Sequence, residues 1–392
     1  MGDSRLYLDG DIETRILVSQ ADIEAVAAEW RALEAHCADP LSYFQSYDWC
    51  VKWVRQFADE ACRPFVITLW RGSILLAVWP RMVVEAAGIS RLETLGGAHS
   101  QYCGLLLRRG ARNALIERHL DSATRRSGCD VSVSRAVLEG TSLGQLLGES
   151  ASVTGSDNAA SILDLSHFRS SEDYTAQLGK LQKRNRNRRR NHLERLGTLR
   201  FDVVWPDSVE FGELVQQCTA MKRRWLQETG RFSVGFSMDG YEAFLAALEG
   251  DEAELSGACV SVLRAGERVV AIELGFIRER HYYAYIGGFD WELRDWSPGK
   301  VQMDMTVCWL IDQGITGYDL LINPADYKAS WTSRTIAVMT KAQPLTWKGR
   351  IYTQAWLPSL RPALKRLHGR LPVLVDRLVG ILRPAACMLL YV

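Results

Sequence analysis

Glu273 stands between Ile272 and Leu274 in an otherwise apolar run, so its carboxylate is expected to be partly desolvated. Desolvation raises a carboxyl pKa toward neutrality, which suits a general base. Further along, the apolar run Tyr318 to Ile322 ends in Asn323-Pro324-Ala325-Asp326-Tyr327-Lys328, a cluster of groups able to move protons or hold charge. Asp326 is a second candidate base, and Lys328 can bind a phosphate or stabilise a developing oxyanion. Between these two places lies Ser297-Pro298-Gly299-Lys300. Serine suits a helix cap, proline the first helical turn, and glycine the close approach of a phosphate to the backbone. A helix start favours anions. A phosphate site followed by proton-moving groups is the order that a coenzyme A-dependent acyl transfer needs. In such a transfer the acceptor amine or hydroxyl loses a proton as it attacks a thioester.

The elements that must position these groups follow from periodicity. The runs 259–263, 268–276 and 281–286 read as an antiparallel meander, with turns at Ala265-Gly266-Glu267 and Arg278-Glu279-Arg280. A helix from Pro298 to about Gln313 ends at Gly314, and a strand at 318–322 follows. Helices at about 171–196, 208–228 and 239–250 precede the meander. The first half offers helices at 22–36 and 44–57, strands at 65–70 and 74–84 across Arg71-Gly72-Ser73, a helix near 111–127 and a strand at 131–134. Both halves present hairpin, helix and strand in that order, so an internal duplication of fold is expected. Three domains result: 12–155, 160–345 and a basic segment 346–392.

The chain has 392 residues, 47% hydrophobic and 24% charged, which is ordinary globular composition. The net charge of +1 hides uneven placement: Lys180 to Arg195 carries eight Lys or Arg against Glu194 alone. That run is either a solvated helix or a contact for phosphate, anionic polysaccharide or RNA. No aromatic residue interrupts it, so sequence-reading of nucleic acid is not expected. Nine cysteines without a C-x-x-C pair and seven histidines without H-x-x-x-H spacing point to a reducing compartment and no structural metal. No long apolar run can span a bilayer and the N-terminus lacks a signal peptide's apolar core, so a cytoplasmic protein is expected. From Trp347 onward eight Lys or Arg interleave with leucines and Trp356. This pattern suggests peripheral contact with an anionic membrane.

Four motifs in order resemble bacterial CelD-like acyltransferases of the GNAT superfamily. They are FQSYDWCVKW (Phe44 to Trp53), the basic run Lys180 to Arg195, SPGKVQMDMTVCWLIDQGITGYDLL from Ser297, and DYKASW from Asp326. The resemblance extends to Fem-type transferases and covers roughly residues 12–345. It implies a mixed α/β fold of two GNAT-like domains in tandem, followed by the basic C-terminal appendage. It further implies acyl-CoA as co-substrate, no metal, and a surface-polysaccharide or lipid precursor as acceptor, N- or O-acylated. On this resemblance Ser297, Pro298, Gly299 and Lys300 hold the cofactor, and Tyr327 protonates the leaving thiolate. His99, Gln101 and Tyr102 form an acceptor-side wall. Tyr283, Asp319 and Trp331 are further substrate-side candidates, although aromatic residues of this kind commonly belong to the core. The chain departs from the family at Gln101, where an acid is usual, and at Asn323-Pro324, where glycine is usual. Two other readings stay open: an aminoacyl-tRNA-dependent transferase, and a non-catalytic scaffold of the same fold.

Overall fold

The computed structural model describes residues 12–37, 39, 42–86, 88–148, 152–153, 159–322, 328 and 331–360. The chain forms two compact units, one of residues up to 158 together with those from 337 onward, the other of residues 159–336.

Unit 1 has strands β1 (Glu13–Leu17), β2 (Cys62–Pro64), β3 (Val66–Arg71), β4 (Ile74–Trp79), β5 (Arg81–Ala86), β6 (Ile89–Thr94), β7 (Leu106–Leu107), β8 (Val131–Leu138) and β9 (Ser152–Val153). Its helices are α1 (Gln20–Glu24), α2 (Ala27–Glu34), α3 (Tyr47–Phe57), α4 (Ala114–Arg126) and α5 (Ser142–Leu147). One antiparallel sheet runs β1-β3-β4-β7. Its central hairpin turns tightly between Arg71 and Ile74, with Gly72 at φ +58, a conformation that glycine adopts without strain. Pro80, which cannot donate to a ladder, separates β4 from β5 and divides what the sequence suggests is one strand.

The second sheet of unit 1 depends on the chain's return. The strand Arg334–Pro344 pairs antiparallel with β8 from Val338 to Pro344, and β8 pairs parallel with β6. The sequence boundary at 345 therefore differs from the structural one, because β8 needs an edge partner and residues from 337 supply it. Beyond it, Tyr352, Trp356 and Leu357 pack against Ala86, Val131, Val133 and Ala342. The beginning of the basic segment is thus apolar packing on unit 1, and residues 361–392 lie outside the described ones.

Three arginines and one glutamate cross the interior of this sheet. Arg81 is fully buried, donates to the carbonyls of Glu93 (3.0 Å) and Val133 (3.0 Å) and to Ser134 Oγ (3.0 Å), and stacks on Trp79. Glu93 sits 2.7 Å from Arg91 Nε and 3.3 Å from Arg135.

Unit 2 has strands β10 (Ala159–Asp164), β11 (Leu199–Val204), β12 (Gly250–Asp251), β13 (Ser256–Ala265), β14 (Arg268–Arg278), β15 (His281–Phe289) and β16 (Gly317–Asp319). Its helices are α6 (Ser171–Gln177), α7 (Lys180–Glu194), α8 (Phe211–Glu228), α9 (Val234–Ser237), α10 (Tyr241–Ala246) and α11 (Pro298–Asp312). The sheet order is β11-β13-β14-β15-β16-β10, antiparallel except for β15 with β16. The meander expected at 259–286 is present and longer than its apolar cores, because backbone pairing continues past the last buried residue. The helix expected over 171–196 is two helices. Gly179 is extended, and its N–H donates to Gln182 Oε1 at 2.9 Å, which starts α7 afresh.

Candidate active site

The parallel pairing of β15 and β16 covers only His281 with Gly317 through Tyr283 with Asp319, while β15 runs on to Phe289. Two features part the strands. Against β14, Leu274 faces Ile286 and Gly275 faces Ala284, so Tyr285 is an extra residue that bends β15. The chain after β16 instead follows β10, with the Leu320 N–H donating to Ser161 O at 2.8 Å.

Glu273, on β14, lies beside this opening and is only 7% exposed. Tyr282 of β15 donates to its Oε1 at 3.1 Å, and Tyr318 of β16 donates to its Oε2 at 3.1 Å. The two phenol rings stack nearly parallel, 5.5 Å apart. Above them Gln302 of α11 donates to Ser261 Oγ (2.6 Å) and Thr306 Oγ1 (2.8 Å). Burial pushes the Glu273 carboxyl up to about 7, against the opposing pull of Tyr282, Tyr318 and Gln302. A carboxyl that titrates near 7 can exchange a proton under ordinary conditions.

Gly275 makes the arrangement possible. A Cβ there would lie 2.1 Å from Tyr282 Cζ, inside the ring's volume. Gly275→Ala is expected to displace Tyr282 from Glu273, cost about 1–3 kcal/mol of stability by overpacking, and raise the carboxyl pKa further by removing a donor. A pH–rate profile and a denaturant melt of the variant check both effects. An unchanged profile would show that Tyr282 does not tune the carboxyl.

Two amines lie at the far end of the strands. Lys328 is buried and donates to Ile322 O at 2.9 Å. Burial pulls its ammonium down to about 8, Asp319 opposes this, and Lys222 of α8 adds to it. Burial likewise pulls Lys222 down to about 8, and its ammonium stands 3.9 Å over the Trp225 ring. Asp319 is fully buried and accepts from the Leu321 N–H at 2.7 Å. Leu321 itself is held at φ +62, a conformation costly for leucine.

The expected phosphate cradle is differently built. Pro298 has no N–H, the Ser297 N–H donates to Arg294 O at 3.1 Å, and the Lys300 N–H donates to Ser297 O at 3.0 Å. Ser297 caps no amide with its side chain and adopts a left-handed conformation (φ 56). A Cβ on Gly299 would make only an ordinary contact, 3.6 Å from Phe289. The Ser297 and Lys300 amides are thus already bonded at this helix start. Instead a cavity of about 300 Å³ opens beside it, lined by Lys300, Trp331 and the inner face of α7.

Glu273, Tyr283, Ser297 to Lys300, Asp319, Lys328 and Trp331 belong to unit 2, whereas His99, Gln101 and Tyr102 belong to unit 1. Asp326 and Tyr327, like Asn323-Pro324, lie outside the described residues. Tyr283 is fully buried and has no face for a ligand. In unit 1, His99 is 1% exposed, accepts from Trp53 Nε1 at 3.0 Å and packs on Phe57. Tyr102 is equally buried, its ring edge-on to Phe44, while Gln101 is half-buried. His99 and Tyr102 therefore serve the aromatic core of unit 1, because the FQSYDWCVKW helix packs its rings onto them. Tyr282, Tyr318, Gln302 and Lys222 were not anticipated, although the alternation Tyr282, Glu273 and Tyr318 on adjacent strands carried the signal. Among the described residues no cluster of three or more His, Cys, Asp or Glu could hold a metal, and no helix is long and apolar enough to cross a membrane.

Comparison with known proteins adds a domain match and a fold likeness. Residues 180–329 match the family model described as an acetyltransferase (GNAT) domain. No curated protein matches the chain in sequence. Among solved structures, FemX superposes with a TM-score of 0.55 at 12% identity, covering 88% of this chain and 99% of its own. The C-terminal DUF2156 domain of a candidate lysylphosphatidylglycerol synthetase from Agrobacterium fabrum superposes at 0.52 with 14% identity, covering 87% and 96% respectively. These likenesses show the fold, a mixed α/β GNAT architecture similar to that of FemX. The domain match puts a GNAT acyltransferase domain at residues 180–329, which makes the protein an enzyme.

Proposed function

We propose that this enzyme moves an acyl group from acyl-CoA to an amine or hydroxyl of a surface-polysaccharide or lipid precursor. The observation that carries the reading is Glu273, buried, titrating near 7 and placed where β15 leaves β16. GNAT acyltransferases in general use acyl-CoA, and the opening suits its amide-bearing arm. An extended chain with amide groups can lie along a strand edge and bond to its backbone. Glu273 takes the proton of the acceptor as its nitrogen or oxygen bonds to the thioester carbonyl carbon. The carbon–sulfur bond then breaks, and the departing thiolate takes up the proton that Glu273 accepted. Lys328, an ammonium weakened by burial, supports the negative charge on that side. The acceptor class rests on the CelD-like motifs at 44–53 and 297–321.

The test is thiol release from acetyl-CoA and longer acyl-CoA in the presence of amine- and hydroxyl-bearing glycan or lipid precursors. Acceptor-dependent release is expected. Turnover that required charged tRNA, with none from acyl-CoA, would replace the donor.

A further inference from the structure

A helix lying on a protein surface normally turns an apolar stripe inward and its charges outward. Helix α7 does not. Leu193 is its only buried residue, and Leu181 points to solvent at 70% exposure. The half-buried positions are instead mostly polar and cationic, among them Asn185, Arg186, Arg189 and Arg190, while Arg184 and Arg188 are exposed. Of the inward cations, Arg186 is neutralised, with Nε 2.5 Å from Asp304 and a further bond to Thr175 Oγ1 at 2.9 Å. Arg189, Arg190 and Lys300 line the same cavity, and no ion pair within 4.0 Å engages them among the described residues. Burial, then the charge of Arg188, lowers the Arg189 pKa against the opposing pull of Asp304, which lines the same cavity but is already paired with Arg186. Holding like charges together around a space is costly unless an anion enters it.

The chemistry of that space is specific. Three cations converge, two of them guanidinium forks that match phosphate oxygens. Tyr174 and Trp331 supply aromatic surface, and Gln182 supplies an amide. A volume of about 300 Å³ suits one head group rather than a polymer. Since the backbone amides of Ser297 and Lys300 are already bonded, side chains supply most of the donors here.

We propose that Arg189, Arg190 and Lys300 form a binding site for the diphosphate of a nucleotide-bearing substrate. In this chain the basic helix takes over the task that a loop of free backbone amides would otherwise perform. The diphosphate belongs either to the acyl donor or to a nucleotide-activated acceptor. The choice between these rests on the acyl-transfer reading; the existence of the site does not.

The experiment is calorimetry on the full chain with CoA, UDP and inorganic pyrophosphate as probes. R189A/R190A and K300A are compared with R184A/R188A, which removes the same charge from the outward face. Saturable binding to the wild type is expected, weakened at least about tenfold in R189A/R190A and unchanged in R184A/R188A. CoA binding in preference to UDP assigns the site to the donor, and the reverse assigns it to the acceptor. Equal weakening in both double variants would reduce the effect to general charge and overturn the proposal. So would the absence of saturable binding to all three probes. Thiol release measured in parallel separates the two ideas. Normal transfer with an unchanged acyl-CoA KM in R189A/R190A, together with unaltered probe binding, would remove the site and leave the enzyme reading. Probe binding without transfer would do the opposite.

Discussion

Glu273→Gln is expected to lower kcat/KM for acyl transfer by about 10²–10⁴-fold, the usual contribution of a positioned acid–base group. The argument begins with solvation. Glu273 lies in the interior with two phenol donors, and burial outweighs them, so the carboxyl titrates at about 7 rather than 4.5. A base must be ionised to accept a proton. The wild-type rate should therefore rise with pH through about 7, and this ascending limb should vanish in the variant. Stability should move the other way. Because the folded pKa lies above the unfolded one, the folded state binds the extra proton. The stability that this confers is complete below about 4.5 and lost as pH rises through about 7. A shift of this size corresponds to about 3 kcal/mol. Wild type should consequently lose stability between pH 5 and 8 relative to Glu273→Gln. The site then works in the range where its charge is costly to hold, a common compromise at catalytic positions. Rates across pH on both proteins, with melts at the same pH values, decide the matter. A variant that keeps near-normal turnover, or an ascending limb that survives the substitution, would move the base elsewhere.

Glu93→Leu in unit 1 should cost about 3–5 kcal/mol, the loss expected when one partner of a buried ionic cluster is removed. Glu93 is surrounded by Arg91 at 2.7 Å and Arg135 at 3.3 Å, with Arg81 nearby. Burial would raise its carboxyl pKa, but the charges of Arg91, Arg135 and Arg81 hold it below the usual value. An arginine does not escape burial by losing its proton. Removing Glu93 would leave guanidinium groups inside the sheet without a counter-charge. Because the Glu93 pKa is depressed, its stabilisation is present above the unfolded value of about 4.5 and lost as pH falls through the folded one. Urea denaturation near pH 7 measures the effect. A loss below about 1 kcal/mol would mean that water or a rearranged side chain replaces the carboxylate.

Local chemistry made much of unit 2 legible. The meander was readable because Gly266 supplies its turn and β-branched residues fill β13 and β14. The helix after Ser297 was readable from Pro298 at its start and Gly314 past its end. Glu273 stood out because a lone carboxylate in an apolar strand is a local anomaly. The helix start at Ser297 to Lys300 was legible as a phosphate cradle, but how its amides are used was not. Composition shows that glycine and serine are present; it does not show that the Ser297 and Lys300 amides are already bonded.

What the sequence by itself determined, then, is the succession of strands and helices, their turns, and one anomalous carboxylate. Only the tertiary structure decided what faces that carboxylate and where the cations point. Tyr318 reaches Glu273 across 45 positions of sequence, and Arg186 reaches Cys308 across 122. The strand following residue 337 completes the sheet begun at β2, and β15 meets β16 for three pairs before a bulge turns it away. Each of these outcomes depends on register between distant segments. A one-residue slip would turn every side chain of a strand to its other face, so no local pattern contains the answer.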